Sequence, residues 1–512
     1  MNDKSHYSDI IISKSGIKIP VFTSGKTVDS RYDPQRESLR LAQQINDETN
    51  FVIITGIASG ILIKTILEQR QNIFILAVEI NQNDIDFLMK LEEVKQLSQN
   101  KNVCFCTISE LFEKITQLYV PAFYGNLEVI EQRGWTTEHN DYIPQLKEQL
   151  QKAVGIVSAD FSVQSHFGKL WQHNILSNIK LIKNSKQITA DLIPGEKTAL
   201  VLAAGPSIDK TILSIKQNLN DYYLIATDTA FSILLSYKII PDAVISLDGQ
   251  NVSNSHFIHS NEFDFSKTLF LFDLCANDSA VKKIIAQEGN VCYFTSGHPL
   301  SEYINETFYL ELPKLFSGAG TVTISAVDFA VQLGFTNIFV AGADFGYSNG
   351  KPYAKGTYLD KLYNQNSGRI NNSQNQFCSL MYRTPLTQIS DSLSTTQILN
   401  AYRTSFEEYL SANKLEFWKE NELYKIKNLN DNRNTLFNKA INTTYPDGEE
   451  ILQMLKKTFS DKNKACTFNS FFELTKSDIC LLPLISWLKN NDNKDKKDFN
   501  YFYRKVLGEI TK

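Results

Sequence analysis

The sequence predicts an α/β fold: a Rossmann-like N-terminal domain over residues 1–150, a helical connector over 151–195, a central α/β domain with a mainly parallel sheet over 196–430, and a helical C-terminal domain over 431–512. Three observations predict it. Through 196–430, short apolar runs alternate with helical periodicity, the pattern of βα units. Between Phe51 and Glu79, a strand, a glycine turn, a helix and a second strand ending in an acid follow one another. Beyond Tyr445 the apolar residues recur at helical spacing, as at Ile451, Leu455 and Phe459.

Bulk composition narrows the function. The 512 residues suffice for several domains with their own cores, and 42% hydrophobic with 21% charged residues describes an ordinary soluble protein. A net charge of −4 supplies no basic field, so nucleic acid is not expected as a partner. The seven cysteines are scattered, only Cys104 and Cys106 being close, and no C-x-x-C pair is present; this predicts reduced thiols in a cytoplasmic protein. Met1–His6 lacks the apolar core of a signal peptide, and no run approaches the ~20 apolar residues of a membrane span.

In the N-terminal domain, Asp33-Pro34 opens a helix with Pro34 at its first position and Glu37 in its first turn. Phe51–Thr55 reads as a buried strand, Gly56-Ile57-Ala58-Ser59-Gly60 as a turn, Ile61–Glu68 as a helix and Phe74–Glu79 as the second strand. Such a unit can bind a dinucleotide or methyl donor with Glu79 on a ribose. The spacing, however, is G-x-x-x-G without a third glycine, and a structural role fits as well, so no cofactor is assigned here. Asp84-Ile85-Asp86 has D-x-D form but lies at a predicted helix start, away from the other motifs. In the connector, Phe161, Phe167, Leu170, Trp171, Ile175 and Ile179 share an apolar helix face. His166 and His173 read as a metal pair or, with no carboxylate motif beside them, as packed helix residues.

The central domain carries the chemistry. Thr198–Leu202 is a strand; Ala203, Ala204 and Gly205 then remove bulk; Pro206 fits a first helical position; and Ile208, Ile212, Ile215 and Leu219 make one helix face. A helix start at the carboxyl end of a strand suits a phosphate, although an ordinary tight turn has the same sequence. Tyr222–Thr227 ends in Asp228-Thr229, Ala243–Leu247 in Asp248, and Ile338–Ala341 in Gly342-Ala343-Asp344, with further strands at Thr268–Phe272 and Val291–Phe294. Ser317-Gly318-Ala319-Gly320-Thr321 feeds a helix through Val322, Ala326 and Phe329 that Gly334 ends. Three acids and two glycine-rich helix starts thus share the carboxyl edge of the sheet, where open α/β sheets bind ligands. Beyond Asp344, a glycine-rich loop with Lys351, Tyr353 and Lys355 can neutralise phosphate oxygens, and 364–376 reads as a polar loop. Thr395 to about Leu415 is helical, and Leu423–Asn428 is a last strand.

With these residues in place, the chain resembles the motility-associated factor (Maf) family, bacterial glycosyltransferases proposed to place nonulosonic acids on flagellin. The resemblance runs from about residue 25 into the 430s. It rests on Tyr32-Asp33-Pro34-x-x-Glu37, Gly56–Gly60, Ala203-Ala204-Gly205-Pro206-Ser207-Ile208-Asp209, Pro241-Asp242 with Leu247-Asp248, Gly320-Thr321-Val322, and Gly342-Ala343-Asp344 with Tyr353-Ala354-x-Gly356-Thr357. The central part is also similar to bacterial CMP-sialic acid sialyltransferases. By that likeness Gly205, Pro206 and Ser207 line the CMP site, Asp228 and Thr229 face the ribose, and Asp248 lies beside nucleotide or sugar; Gly318, Gly320 and Thr321 of the glycine-rich loop, with Tyr353, supply further donors around the phosphate. Asp228 and Asp248 stand where those enzymes have amides. Their histidine base follows the last conserved strand, whereas the histidines here end at His298. The base is then Asp344, Asp248 or His298.

The resemblance implies transfer of a pseudaminic, legionaminic or sialic acid type sugar from its CMP conjugate to Ser or Thr of a flagellin-like protein, in support of flagellar assembly and motility. Mg²⁺ is possible as a cofactor. The enzymatic alternative is pterin pyrophosphokinase-like diphosphate transfer using ATP and Mg²⁺; the other is a non-catalytic flagellin-binding protein.

Overall fold

The computed structural model describes residues 4–70, 72–186, 197–258, 263–420, 422–429, 445–462, 467–492 and 498–510. Two units divide the chain: Met1–Lys169 with Lys456–Lys512, and Leu170–Leu455.

In the first unit, β1 (Tyr7–Ile12) and β2 (Lys18–Phe22) pair as an antiparallel hairpin. Then β3 (Thr49–Thr55), β4 (Phe74–Glu79), β5 (Val103–Thr107) and β6 (Asn126–Glu131) form a parallel sheet ordered β5-β4-β3-β6. Phe51 to Ile54 are fully buried because both faces of this strand are covered, which is why its sequence is continuously apolar. The expected helix over 61–68 forms as Ile61–Gln69. The hairpin, β5 and β6 were not among the expected elements.

The domain boundaries need correction. A single helix runs from Ile143 to Lys180, with no break at 150, and the two units divide the chain within it. The connector is therefore not a separate body. Nor are the C-terminal residues: from Lys456 onward they belong to the first unit. There Lys489 Nζ donates to the Ala122 carbonyl (2.9 Å), and Gly168 packs so closely on the Pro483 carbonyl that no Cβ fits. Of the expected connector and C-terminal domain, residues 187–195, 431–444, 463–466, 493–497 and 511–512 lie outside the described residues.

The Gly56 turn is closed by the unit's own side chains. Gly56 has φ +89°, and a Cβ there would stand 2.6 Å from Trp135 Cδ1. Glu79, the acid expected to hold a ribose, is fully buried and accepts hydrogen bonds from Ile57 N–H (2.7 Å), Trp135 Nε1–H (2.9 Å) and Tyr7 O–H (3.2 Å). Asp29 accepts from Ser59 N–H (3.0 Å) and Oγ–H (2.9 Å) at the start of the following helix. Two internal carboxylates and an indole thus fill the crevice that a nucleotide uses in a binding unit of this shape. Burial pushes Glu79 up to about 8 and Asp29 up to about 6. A carboxyl with a raised pKa makes the folded chain bind more protons than the unfolded one, so stability falls as pH rises from the ordinary carboxylate range to the raised value. Urea midpoints are expected to fall between pH 6 and 8 in the wild type, and Glu79→Gln to flatten that window while leaving the fall below pH 6, where Asp29 titrates.

The second unit holds an eight-stranded sheet. Its strands are β7 (Thr198–Leu202), β8 (Tyr222–Thr227), β9 (Ala243–Ser246), β10 (Leu269–Asp273), β11 (Asn290–Phe294) and β12 (Asn337–Ala341), with β16 (Glu416–Glu420) and β17 (Leu423–Lys427) at one edge. The order is β11-β10-β9-β8-β7-β12-β17-β16. The first six strands run parallel; β17 pairs antiparallel with β12, and β16 pairs antiparallel with β17. The chain steps outward from β7 to β11 and then returns to place β12 on the other side of β7. The strand order reverses between β7 and β12, which leaves a crevice at their carboxyl ends. Val201, Ile225, Ile245, Leu271, Ile338 and Val340 are buried in the core that supports it. β13 (Tyr347–Ser348), β14 (Thr387–Ser390) and β15 (Leu393–Thr395) add a small antiparallel sheet.

Three local expectations change. Pro206 is not the first helical residue: the helix is Ile208–Gln217, with Ser207 at the N-cap position but without a side-chain capping bond, and Pro206 lies in the preceding turn. The polar stretch 364–376 is partly helical, since Asn372 caps the helix Ser373–Met381 through its side chain. β16 was unforeseen, because Glu416-Phe-Trp-Lys-Glu420 is the polar pattern of an edge strand.

Candidate functional site

At the carboxyl ends of β7, β8 and β12 opens a cavity of ≈ 290 Å³, in the crevice of the reversed strand order. Its floor is backbone. Ala203 N–H donates to the Ala341 carbonyl (2.9 Å) and Gly205 N–H to the Gly342 carbonyl (2.8 Å). Gly342 has φ +72°, and neither Gly342 nor Gly205 has room for a Cβ against the other strand's turn. These small residues let the two turns approach and leave space above them.

Three helix starts face this space: Ile208–Gln217, Asp228–Ser236 and Val322–Gln332. They are not equivalent. Asp344 accepts from Ser207 N–H (2.8 Å) and, in a short bond, from Ser207 Oγ–H, so its carboxylate occupies the place an anion takes at that helix start. Asp228 is buried and accepts from Thr229 N–H (2.7 Å) and from Ser246 Oγ–H (2.8 Å). At the third start, the Thr321 side chain accepts from Thr323 N–H (3.4 Å), and the Val322 N–H, first of its helix, has no acceptor within that helix. Two helix starts are closed by carboxylates and one is open to a ligand.

Burial raises the Asp344 pKa, against the Ser207 bonds that lower it. Tyr353 lines the cavity with a hydroxyl that burial pushes up to about 12, so it stays a donor at neutral pH. The loop bearing it is pinned by Ala354 N–H to the Ala204 carbonyl (3.0 Å) and by Lys355 N–H to Asp209 Oδ1 (3.1 Å).

Of the residues expected at the site, Gly205, Asp228, Thr229, Gly320, Thr321, Asp344 and Tyr353 line the cavity, and Ser207 is bonded to Asp344. Pro206, Gly318, Asp248 and His298 do not. Asp248 accepts from Gln250 N–H (2.9 Å) in its own turn. His298 Nδ1 accepts from Leu300 N–H (3.2 Å), capping the helix Pro299–Thr307; its ring stands edge-on to Trp171, and burial pushes its pKa down to about 4. Sequence reasoning missed Leu399 and Tyr402, which reach the cavity from the helix Gln397–Ala412. Nothing local marks them; only the packing of that helix over Gly320 brings the Tyr402 ring near. Among the described residues, no group of three or more His, Cys, Asp and Glu is placed to hold a metal ion.

Residues 173–350, which contain most of this cavity, match the family model of 6-hydroxymethylpterin diphosphokinase MptE-like proteins. An uncharacterized protein of Treponema pallidum (strain Nichols) is 39% identical over 146 residues, 28% of this chain and 51% of the relative. A second uncharacterized protein of that organism is 35% identical over 150 residues, 28% of this chain and 70% of the relative. The chain belongs to the family of this second Treponema protein. A third is 24% identical over 275 residues, 52% of this chain and 46% of that one, so the chain spans about half the length of two of these relatives. In fold, the chain is similar to a Maf glycosyltransferase from Magnetospirillum magneticum AMB-1, with a TM-score of 0.51 at 13% identity over 99% of this chain and 87% of that one. At that identity this last likeness shows the fold alone. No helix among the described residues is long and apolar enough to cross a membrane.

Proposed function

We propose that the protein is a nucleotide-dependent transferase whose donor sits in the crevice between β7 and β12, with a phosphate on the Thr321 and Val322 N–H groups. The observation that supports this most is the open helix start at Val322, in a cavity whose other two starts are already neutralised by Asp228 and Asp344. An anion placed there gains N–H donors and the positive end of the helix without displacing a protein group. Asp344 is the cavity carboxylate with a raised pKa, the direction a general base needs.

Two donor chemistries fit. The family likeness over 173–350 favours diphosphate transfer: a hydroxymethyl oxygen of a pterin attacks the β-phosphorus of ATP, the bond from that phosphorus to the bridging oxygen breaks, AMP leaves, and the hydroxyl proton passes to a base. The fold likeness across the whole chain favours glycosyl transfer: a Ser or Thr oxygen of a flagellin-like protein bonds the anomeric carbon of a nonulosonic acid, and CMP leaves with the electrons of the broken C–O bond. A Mg²⁺ carried in on ATP phosphates belongs to the substrate. Incubation with ATP plus 6-hydroxymethylpterin, and separately with a CMP-nonulosonate plus flagellin, is expected to release AMP in the first case or CMP in the second. Binding of neither nucleotide leaves a non-catalytic protein and overturns the proposal.

A further inference from the structure

A second cavity, of ≈ 450 Å³, adjoins the first and shares Tyr353 with it. Its wall carries Lys351 and Lys355, the amides Asn349, Asn364 and Gln374, and the Phe377 ring. Both lysines are exposed, and among the described residues neither Nζ has a carboxylate partner. The one carboxylate on this wall, Asp360, is turned to its own helix: it accepts from Gly356 N–H (3.0 Å) and from Asn364 Nδ2–H (3.1 Å). The wall therefore presents two cations without ion-pair partners, against one carboxylate, and several amides beyond the place where the donor phosphate is proposed to sit. A group that reaches it past Tyr353 gains from negative charge and from oxygens that accept hydrogen bonds.

We infer that this second cavity binds an anionic extension of the donor, joined to the nucleoside phosphate held in the first. The inference rests on the proposed nucleotide site and deepens it. The shared chemistry is a further anion, and it has two sources: the terminal phosphates of ATP, or the carboxylate of a sugar acid linked to CMP.

Cys378 supplies an independent readout, since it lines this cavity and is exposed. Maleimide labelling of Cys378, followed by peptide mapping, is expected to slow with ATP or with a CMP-linked sugar acid, and not with AMP or CMP. Whichever extended donor protects identifies the source. Lys351→Ala and Lys355→Ala are each expected to weaken binding of that donor about tenfold, the effect of losing one charge-assisted hydrogen bond, while AMP and CMP bind as before. Equal affinity and equal labelling with and without the extension overturn the inference and leave the nucleotide site standing. Failure of AMP, CMP and both extended donors to bind removes the nucleotide site, and this inference with it.

Discussion

Trp135→Ala is expected to cost the first unit about 3–5 kcal/mol, the usual cost of emptying a fully buried large aromatic site. The indole does two jobs. Its ring lies on the Gly56 backbone and edge-on to His139, at 4.9 Å between centroids. Its Nε1–H is one of three donors to a carboxyl that water does not reach. Alanine removes both and leaves Glu79 with Ile57 N–H and Tyr7 O–H. Trp135→Phe keeps most of the ring contact and loses only the donor, so about 1–3 kcal/mol is expected. Urea unfolding of the two variants, followed by circular dichroism, gives both numbers. A Trp135→Ala variant within 1 kcal/mol of wild type would mean that the ring does not hold the turn.

This crevice shows what a sequence discloses and what it withholds. Glycine turn, helix and acid-terminated strand were legible around Gly56 because each is local. That the pocket is filled was not legible, since Tyr7 and Trp135 come from 72 and 56 residues away from Glu79. The central unit repeats the lesson. Strands β7 to β12 were legible within a residue or two, being continuous apolar runs buried on both faces. Gly205, Asp228, Thr321 and Asp344 were legible as one edge because they end strands or start helices. Their division of labour was not: the Ser207–Asp344 bonds span 137 residues, and they convert the apparent phosphate turn into a closed one. His298 drew notice as the last histidine of the chain, placed after a strand, where it reads equally as a turn residue; its bond from Leu300 N–H puts it at a helix cap.

Val322→Pro isolates the backbone donor that the proposed function depends on. Val322 is the first residue of its helix, where proline is tolerated because that N–H has no helical acceptor. Thr321, at φ −119° and ψ 126°, already has the extended backbone required ahead of a proline. The helix and its Thr321 cap are therefore expected to survive, with an unchanged circular dichroism spectrum and melting temperature. What disappears is one N–H aimed at the cavity. A hydrogen bond to a charged group contributes about 1.5–3 kcal/mol, so nucleotide affinity measured by calorimetry is expected to fall roughly 10- to 100-fold. Val322→Ala trims the same side chain and keeps the N–H, and its affinity is expected to stay near that of wild type. A proline variant that binds as tightly as the alanine variant would move the phosphate off this helix start. The remaining starts could then hold it only by breaking the Asp344–Ser207 or Asp228–Thr229 pair, so the bound anion would have to displace a buried carboxylate. The contrast between the two variants thus decides between an open helix start and a displaced internal anion.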